Sequence, residues 1–95
     1  MKSQTKYDVR STSRFRRDLK RAVKRGQNVS LLDEIVNKLA DGTPLPEKNR
    51  DHELSGEWAG HRECHISPDW LLVYLIKDDI LVLTLAGTGS HSDIF

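Results

Sequence analysis

All four histidines of this 95-residue chain lie after residue 50, and this clustering is the strongest chemical signal in the sequence. They are His52, His61, His65 and His91. Two of them fall in segment 60–70, which also carries a carboxylate and an indole. An imidazole, with an ordinary pKa of about 6.5, gives or takes a proton near neutral pH. Two such groups around one scissile bond can act as base and acid. The pattern therefore predicts a proton-transfer site centred on segment 60–70.

Cleavage of RNA without a metal needs groups of these types. One group takes the proton of the ribose 2′-hydroxyl as it attacks the phosphate, another protonates the leaving 5′-oxygen, and a cation stabilises the phosphorane. The candidates for proton transfer are His52, His65, Asp69 and His91. The candidate phosphate partners are Lys48, Arg50, Arg62 and His61, and the candidate base-stacking rings are Trp70 and Phe95. Taken singly, each histidine is more often a structural residue, so the prediction depends on the group.

A zinc site made of His61, Cys64 and His65 is the rival interpretation of the same segment. On a strand, Cys64 faces away from both histidines, and no second ligand pair with zinc spacing completes a set of four. The same geometry argues against a nucleophilic pair of Cys64 with a histidine. We therefore interpret Cys64 as a small buried apolar residue, and we predict neither a metal nor another cofactor.

Hydrophobic periodicity predicts a small α+β domain around these residues. The predicted elements are a strand at 6–10, helices at 13–25 and 30–41 with N-caps at 11–13 and at Ser30, a loop at 43–50, and strands at 60–66, 70–76 and 80–86. The apolar stripe of the first helix is predicted to be Phe15, Leu19, Ala22 and Val23. Trp58 and segments 71–76 and 81–85 are the predicted core. The order βααβββ predicts an N-terminal strand and a helical hairpin packed on a small, mostly antiparallel, twisted sheet.

Length, charge and cysteine content limit the classes of protein. A chain of this size forms one domain, which we assign to residues 1–95. One cysteine, no apolar run near the roughly 18 residues that span a bilayer, and a polar first ten residues predict a cytoplasmic protein without membrane contact. Residues 1–30 carry ten basic and two acidic residues. This basic segment can attract phosphates or an acidic protein, although for a charge run alone a solvated helix face is the favoured interpretation.

With these motifs assembled, the chain resembles the YafQ-type toxins of the RelE/ParE superfamily, the toxin halves of bacterial type II toxin-antitoxin modules. The resemblance rests on KNRDHELSGEW at 48–58, GHRECHISPDWLLVY at 60–74 and TGSHSDIF at 88–95. It implies a RelE-like microbial ribonuclease fold. It also implies an mRNA interferase that enters the ribosomal A site, cuts translated mRNA, and is held inactive by a cognate antitoxin, usually in a heterotetramer.

By position, the resemblance implies a set of active-site residues with Trp70 beside them. The set is His52, His65, Asp69, His91 and Phe95. The family pattern implies that His91 and the pair of His65 and Asp69 share the acid and base roles, that His52 lies near the substrate, and that Phe95 places the RNA base or His91. Which group is the general base is left open, because proton order depends on geometry that spacing does not give.

One position departs from the family pattern. The residue before the Thr-Gly-Ser-His motif is typically an arginine that contacts the scissile phosphate, and here it is Gly87. Loss of one such charge costs about 100-fold to 1000-fold in rate. The departure is compatible with a weakened toxin, with a variant in which Arg62 or His61 supplies the charge, or with a form engineered to be tolerable for expression. Our hypothesis is the last of these.

ParE-like relatives are the alternative within the same fold. They act as gyrase poisons through protein contact and have no catalytic histidines. The histidine set of this chain argues against that class. Alanine at His65 and His91 discriminates between the two, because a poison keeps its toxicity after both changes and a nuclease loses it.

Overall fold

The computed structural model describes residues 5–95, so Lys2 of the basic segment lies outside the described residues. The elements are β1 Asp8–Ser11, α1 Ser13–Lys24, α2 Val29–Asp41, β2 His52–Glu53, β3 Arg62–Ser67, β4 Trp70–Lys77, β5 Val82–Gly89 and α3 His91–Ile94, with 3₁₀ turns at Glu47–Asn49 and Gly56–Trp58. The α+β class and the order of the main elements are confirmed. The short β2 and α3 are additions to the predicted order. Within the described residues, no helix combines the length and apolar character needed to cross a bilayer.

Helix α1 begins where the sequence predicts, because the Thr12 hydroxyl accepts a hydrogen bond from Phe15 N at 3.0 Å. Its buried side differs from the predicted stripe. Val23 is 52% exposed, whereas Asp18 is buried. The prediction for Val23 was wrong because the Asp18 carboxylate takes the inward position, where it accepts the Thr88 N–H of β5 at 3.2 Å.

The N-cap of helix α2 lies two residues earlier than predicted, and the helix begins at Val29. The Asn28 side chain accepts the Ser30 N–H at 3.1 Å and also contacts the Ser30 hydroxyl at 2.6 Å, so Asn28 is the N-cap and the prediction for Ser30 was wrong. The predicted end of the helix is confirmed. Gly42 adopts the left-handed conformation, with φ of 77°, which favours glycine because it has no Cβ.

The strands form one sheet in the order β1-β5-β4-β3-β2, with β1 parallel to β5 and the other pairs antiparallel. Strand β5 begins at Val82, two residues later than predicted, because the chain reverses over residues 78–81 with Leu81 at φ 52°. Ile80 and Leu81 are therefore 61% and 48% exposed, and the prediction of Leu81 as core was wrong. His61 precedes β3, which begins at Arg62.

Alternation along the strands gives the sheet two different faces. The face covered by α1 and α2, here called the helix face, carries the larger core, which includes Cys64, Leu72 and Tyr74 together with Phe15 and Leu39. The opposite face, here called the open face, carries a smaller apolar cluster of Leu71, Val73, Ala86 and Ile94. Partly buried Leu54 and Trp58 pack against this smaller cluster. Short segments therefore cover the open face, in contrast to the two long helices on the other side.

Candidate active site

Strand register brings the predicted site segments onto the open face. One row of paired residues consists of His52, Glu63, Val73 and Gly87, and the next row consists of His65, Leu71 and Gly89. Directly paired residues share a face, and neighbouring strands lie about 4.8 Å apart, so the first row extends over about 14 Å. Helix α3, which carries His91, crosses the same face because its Ile94 packs in the cluster there.

A buried carboxylate lies between the two histidines of these rows. Glu63 Oε1 is 3.6 Å from His52 Nε2 and 3.8 Å from His65 Nε2. Glu63 is only 4% exposed, and its Oε2 has no hydrogen-bond partner among residues 5–95. A negative charge in this position attracts the positive charge that either imidazole acquires when it takes a proton. The arrangement can thus stabilise a proton on this side of the sheet.

The orientation of His52 is fixed by the backbone. Its Nδ1 lies 2.7 Å from the carbonyl oxygen of Arg50. A carbonyl oxygen only accepts hydrogen bonds, so Nδ1 carries a hydrogen and donates it. The nitrogen left to exchange a proton is Nε2, which faces Glu63.

Two of the predicted phosphate partners lie beside His65. Lys48 and Arg50 line a groove of about 500 Å³ together with His65, and Ser67 and Pro68 form part of its wall. The 3₁₀ turn that carries Lys48 and precedes Arg50 is fixed to β3, because Asn49 Nδ2 donates to the carbonyl oxygen of His65 at 2.7 Å. The groove therefore combines positive charge with an imidazole that can transfer protons.

Helix α3 positions His91 and Phe95 through its capping interactions. Asp93 Oδ2 accepts Arg25 Nη1–H at 2.7 Å and Ser90 N–H at 2.8 Å, and these two bonds hold the pKa of Asp93 well below its usual range. The Ser90 hydroxyl accepts the Asp93 N–H at 3.3 Å in return. The ring centroids of His91 and Phe95 lie 5.0 Å apart, and Phe95 is 51% exposed. The exposed Phe95 ring can stack on an RNA base.

Asp69 lies near Ser90, at the start of α3. It is exposed in the turn between β3 and β4, and it lines a pocket of about 100 Å³ with Arg21, Arg25 and Ser90. Its neighbour Trp70 was predicted to stack on a base, and that prediction was wrong. Trp70 is 1% exposed in the core of the helix face, where no RNA base can reach its ring.

Arg62 is not brought to the two histidine rows. Arg62 pairs with Tyr74 in register and therefore faces the helix side of the sheet, where its Nε donates to Asp51 at 3.2 Å. This placement removes Arg62 as a phosphate partner of His65. The His61 ring packs edge-on against Trp58, with ring centroids 5.3 Å apart.

Cys64 is buried as predicted. It is fully enclosed in the core of the helix face, and burial raises the pKa of its thiol to about 12. Among residues 5–95, no group of three or more His, Cys, Asp or Glu side chains is arranged to hold a metal ion.

Sequence reasoning did not select two residues of this region. Glu63 has a signal, since it alternates with His65 on a strand and so shares its face. Arg14 has none, because it is one of many cations on α1 and only the tertiary structure brings it to the open face, where its guanidinium lies 5.1 Å from the centroid of the Trp58 ring.

Residues 7–95 match the model of a protein family described as the bacterial toxin of type II toxin-antitoxin system, YafQ. The chain belongs to this toxin family. The mRNA interferase toxin YafQ of Escherichia coli strain K12 is 35% identical over 89 residues, which cover 93% of this chain and 95% of that protein.

Solved structures similar to the chain have the same fold. The DinJ-YafQ toxin-antitoxin complex of E. coli contains a chain with a TM-score of 0.86 and 33% identity, and the match covers 95% of this chain and 98% of that one. A metal-bound toxin from Helicobacter pylori has a TM-score of 0.88 and 43% identity, with 94% and 99% covered. The expected YafQ-type fold is therefore confirmed.

Proposed function

We propose that the chain is the toxin of a toxin-antitoxin pair and an endoribonuclease that cleaves mRNA on the ribosome. Membership of the YafQ family and similarity to an E. coli mRNA interferase support this proposal. The observation that carries it is the placement of His52 and His65 on either side of Glu63, on the sheet face that α3 crosses with His91. His52, His65 and His91 come from three segments of the chain, and proton transfer at one phosphate needs groups of this type on both sides of the scissile bond.

The proposed reaction is transfer of the phosphate to the neighbouring 2′-oxygen. A base takes the 2′-hydroxyl proton, the 2′-oxygen forms a bond to phosphorus, and the bond to the 5′-oxygen breaks as an acid protonates that leaving group. The products are a 2′,3′-cyclic phosphate and a 5′-hydroxyl. His91 and the pair of His65 and Asp69 share the two proton transfers, and His52 acts beside the substrate.

Charge stabilisation and base placement fall to neighbouring residues. Lys48 and Arg50 lie in the groove beside His65, where they can hold RNA phosphates. Glu63 stabilises the protonated imidazoles next to it. The half-exposed Phe95 ring stacks on a base or positions His91.

The partners follow from the family and the charge distribution. The chain is proposed to bind a cognate antitoxin in a heterotetramer and to work in the cytoplasm, in the ribosomal A site. The basic surface of α1 suits either an acidic antitoxin segment or ribosomal RNA phosphates. A steep fall of ribosome affinity with added salt supports the RNA contact, and affinity independent of salt excludes it.

The test is to incubate the purified toxin with programmed ribosomes and map the mRNA ends. We expect cleavage with a 2′,3′-cyclic phosphate end in the presence of a chelator that leaves the ribosome intact. His65→Ala and His91→Ala should each lose this cleavage, whereas Lys77→Gln, an exposed change at the end of β4, should keep it. Toxicity that survives both alanine changes without mRNA cleavage would instead indicate a ParE-like poison. Cleavage that stops with the chelator and returns with one added metal would contradict the metal-free step.

The expected attenuation concerns the β5 end of the histidine rows. Gly87 provides no side chain there, and a toxin without any cation at this end is proposed to be weakened about 100-fold to 1000-fold. The size of the effect depends on whether a cation from elsewhere in the chain reaches the same place.

A further inference from the structure

The space beside Gly87 is occupied by an arginine from α1. A Cβ added at Gly87 would lie 3.4 Å from Asp18 Oδ2, 3.6 Å from Arg14 Nε and 3.7 Å from Trp58 Cη2. Gly87 pairs with Val73, in the row that also contains His52 and Glu63. The Arg14 side chain therefore lies at the β5 end of this row.

Contacts from three parts of the chain hold the Arg14 side chain. Its guanidinium carbon lies 5.1 Å from the centroid of the Trp58 ring, its Nη2 donates to the carbonyl oxygen of Asp93 at 3.3 Å, and its Nε donates to Asp18 Oδ2 at 3.4 Å. A guanidinium has five N–H donors, and these hydrogen bonds engage two of its three nitrogens. The side chain remains 40% exposed, so further donors can reach an anion from solvent.

The charge of Arg14 is not cancelled by Asp18. The Asp18 carboxylate also contacts Arg21 Nη2 at 3.3 Å and accepts the Thr88 N–H. Arg21 Nη2 also lies 4.0 Å from Asp93 Oδ2, which pairs with Arg25. Three guanidinium groups thus share two carboxylates, and the cluster keeps a net positive charge. A cation that is held in place before the substrate arrives stabilises developing negative charge without further reorganisation.

We propose that Arg14 is a phosphate-binding residue of the active site, one that supplies from α1 the cation that β5 lacks at Gly87. This inference rests on the proposed endoribonuclease function. With Lys48 and Arg50 at the β3 side of the open face, Arg14 places a positive charge at the opposite end of the rows. Ribonucleotide phosphates that cross the face then meet cations at both ends.

Two hypotheses predict different effects of Gly87→Arg: that Gly87 only removes a cation, and that Arg14 already supplies that cation. If Gly87 only removes a cation, the substitution raises cleavage. If Arg14 already fills the space, a second guanidinium enters a region where the Cβ alone comes within 3.6 Å of Arg14 Nε, and like charges repel. Gly87→Arg should then bring no gain on its own, and a gain only after Arg14 has been replaced.

The experiment compares four variants in cleavage of programmed ribosomes, with kcat, KM and melting temperature measured for each. We expect Arg14→Gln to lower kcat about 100-fold to 1000-fold, as for loss of one preorganised donor. Arg17→Gln removes the same charge from an exposed position of α1. It should lower kcat by less than about tenfold, as for a screened surface charge. The double variant Arg14→Gln with Gly87→Arg should recover about tenfold or more of the lost kcat. Gly87→Arg alone should not exceed the wild type.

Three outcomes would overturn the role of Arg14 while the endoribonuclease function stands. They are wild-type kcat in Arg14→Gln, a loss that only follows the fraction of unfolded protein, and a gain from Gly87→Arg alone. If instead the wild type cleaves no more than His91→Ala, the proposed function itself fails, and the role of Arg14 fails with it.

Discussion

The two faces of the sheet are built from the same strands but differ in how they are covered. On the helix face, Cys64, Leu72 and Tyr74 are enclosed by two long helices, and the Tyr74 hydroxyl donates to Asp51 at 2.5 Å. On the open face, Glu63 is buried with one oxygen unpartnered among residues 5–95, under a cover of short segments. Burial of a carboxylate without full pairing is costly. The larger apolar core thus lies on one side of the sheet, and the buried carboxylate of Glu63 lies on the other.

Unpartnered polar atoms occur on both sides, but they differ in kind. On the helix face, Trp70 Nε1 is also buried without a partner among the described residues. It is a neutral donor, for which the cost is about 1–3 kcal/mol. A carboxylate costs more to bury than a neutral donor, so of these two unpartnered groups it is Glu63, on the open face, whose burial calls for a chemical role. Strand register assigns each residue to one face of the sheet. It therefore also decides which residues contribute mainly to stability, on the helix face, and which are available for chemistry, on the open face.

Leu72→Ala should have the largest effect, and the effect should be on stability. Leu72 is fully buried on the helix face, so the substitution leaves a cavity and should lower the free energy of unfolding by about 2–5 kcal/mol. The matched change on the open face is Leu54→Ala, which should cost less because Leu54 is only partly buried. Urea denaturation measures both. An equal cost at the two positions would contradict the contrast between the faces.

Glu63→Gln should reverse that pattern, with a loss of activity at little cost in stability. The amide keeps the shape of the side chain but removes the charge beside His52 and His65. We expect kcat for mRNA cleavage to fall about 10-fold to 100-fold, which is about 1.4–2.8 kcal/mol in the barrier. The melting temperature should stay equal or rise, because a buried charge with one unpartnered oxygen is removed.

The control for Glu63 is Glu57→Gln in the exposed 3₁₀ turn, which should leave kcat unchanged. A large fall in melting temperature for Glu63→Gln, with kcat preserved in the folded fraction, would show that Glu63 is a structural residue. In that case the open face would differ from the helix face in packing only.

The sequence predicts the strands better than it predicts their faces. Apolar runs locate β4 and β5 because strands buried on both sides need apolar residues throughout. For the same reason such a run does not tell which residues face the helices, and Trp70 was assigned to the substrate although it lies in the core. Alternation in β3 is more informative, since it places Glu63 and His65 together.

Residues that depend on distant partners were beyond the reach of local patterns. In the sequence, Asp18 and Arg14 are indistinguishable from charges on a solvated helix. Their positions depend on contacts with Thr88 and Gly87, on a strand about 70 residues away. The end of the β4–β5 turn was missed because Leu81 adopts a left-handed conformation that its residue type disfavours.

Asp93→Asn should have a smaller effect on stability, and the effect should depend on pH. The substitution weakens the capping box of α3 and the pairing with Arg25, so it should cost about 1 kcal/mol at neutral pH. The pKa of Asp93 is lowered below 3.8 in the folded chain, so its stabilisation is complete above that value and is lost as the pH falls further. The difference in unfolding free energy between wild type and variant should therefore be constant from pH 5 to 8 and shrink below about pH 4.

Melting curves across this pH range provide the measurement, with Lys24→Gln as the control at an exposed position of α1. A difference that grows on acidification would have the wrong sign for a lowered pKa. It would mean that α3, and with it the cover of the open face, is held by interactions other than the Asp93 carboxylate.

Cys64→Ala should change stability about as little as Asp93→Asn, and it tests how tightly the helix face is closed. The side chain is fully buried, and the substitution removes one sulfur atom, so the expected cost is about 1 kcal/mol in unfolding free energy with no change in kcat. Burial raises the pKa of the Cys64 thiol to about 12, so almost no thiolate exists at pH 8. A thiol reagent should therefore label the native wild type only at the rate of unfolding, and label the denatured protein at once. Fast labelling of the native protein would show that the helix face opens locally. The helix face would then be less tightly closed than its cover of two long helices indicates.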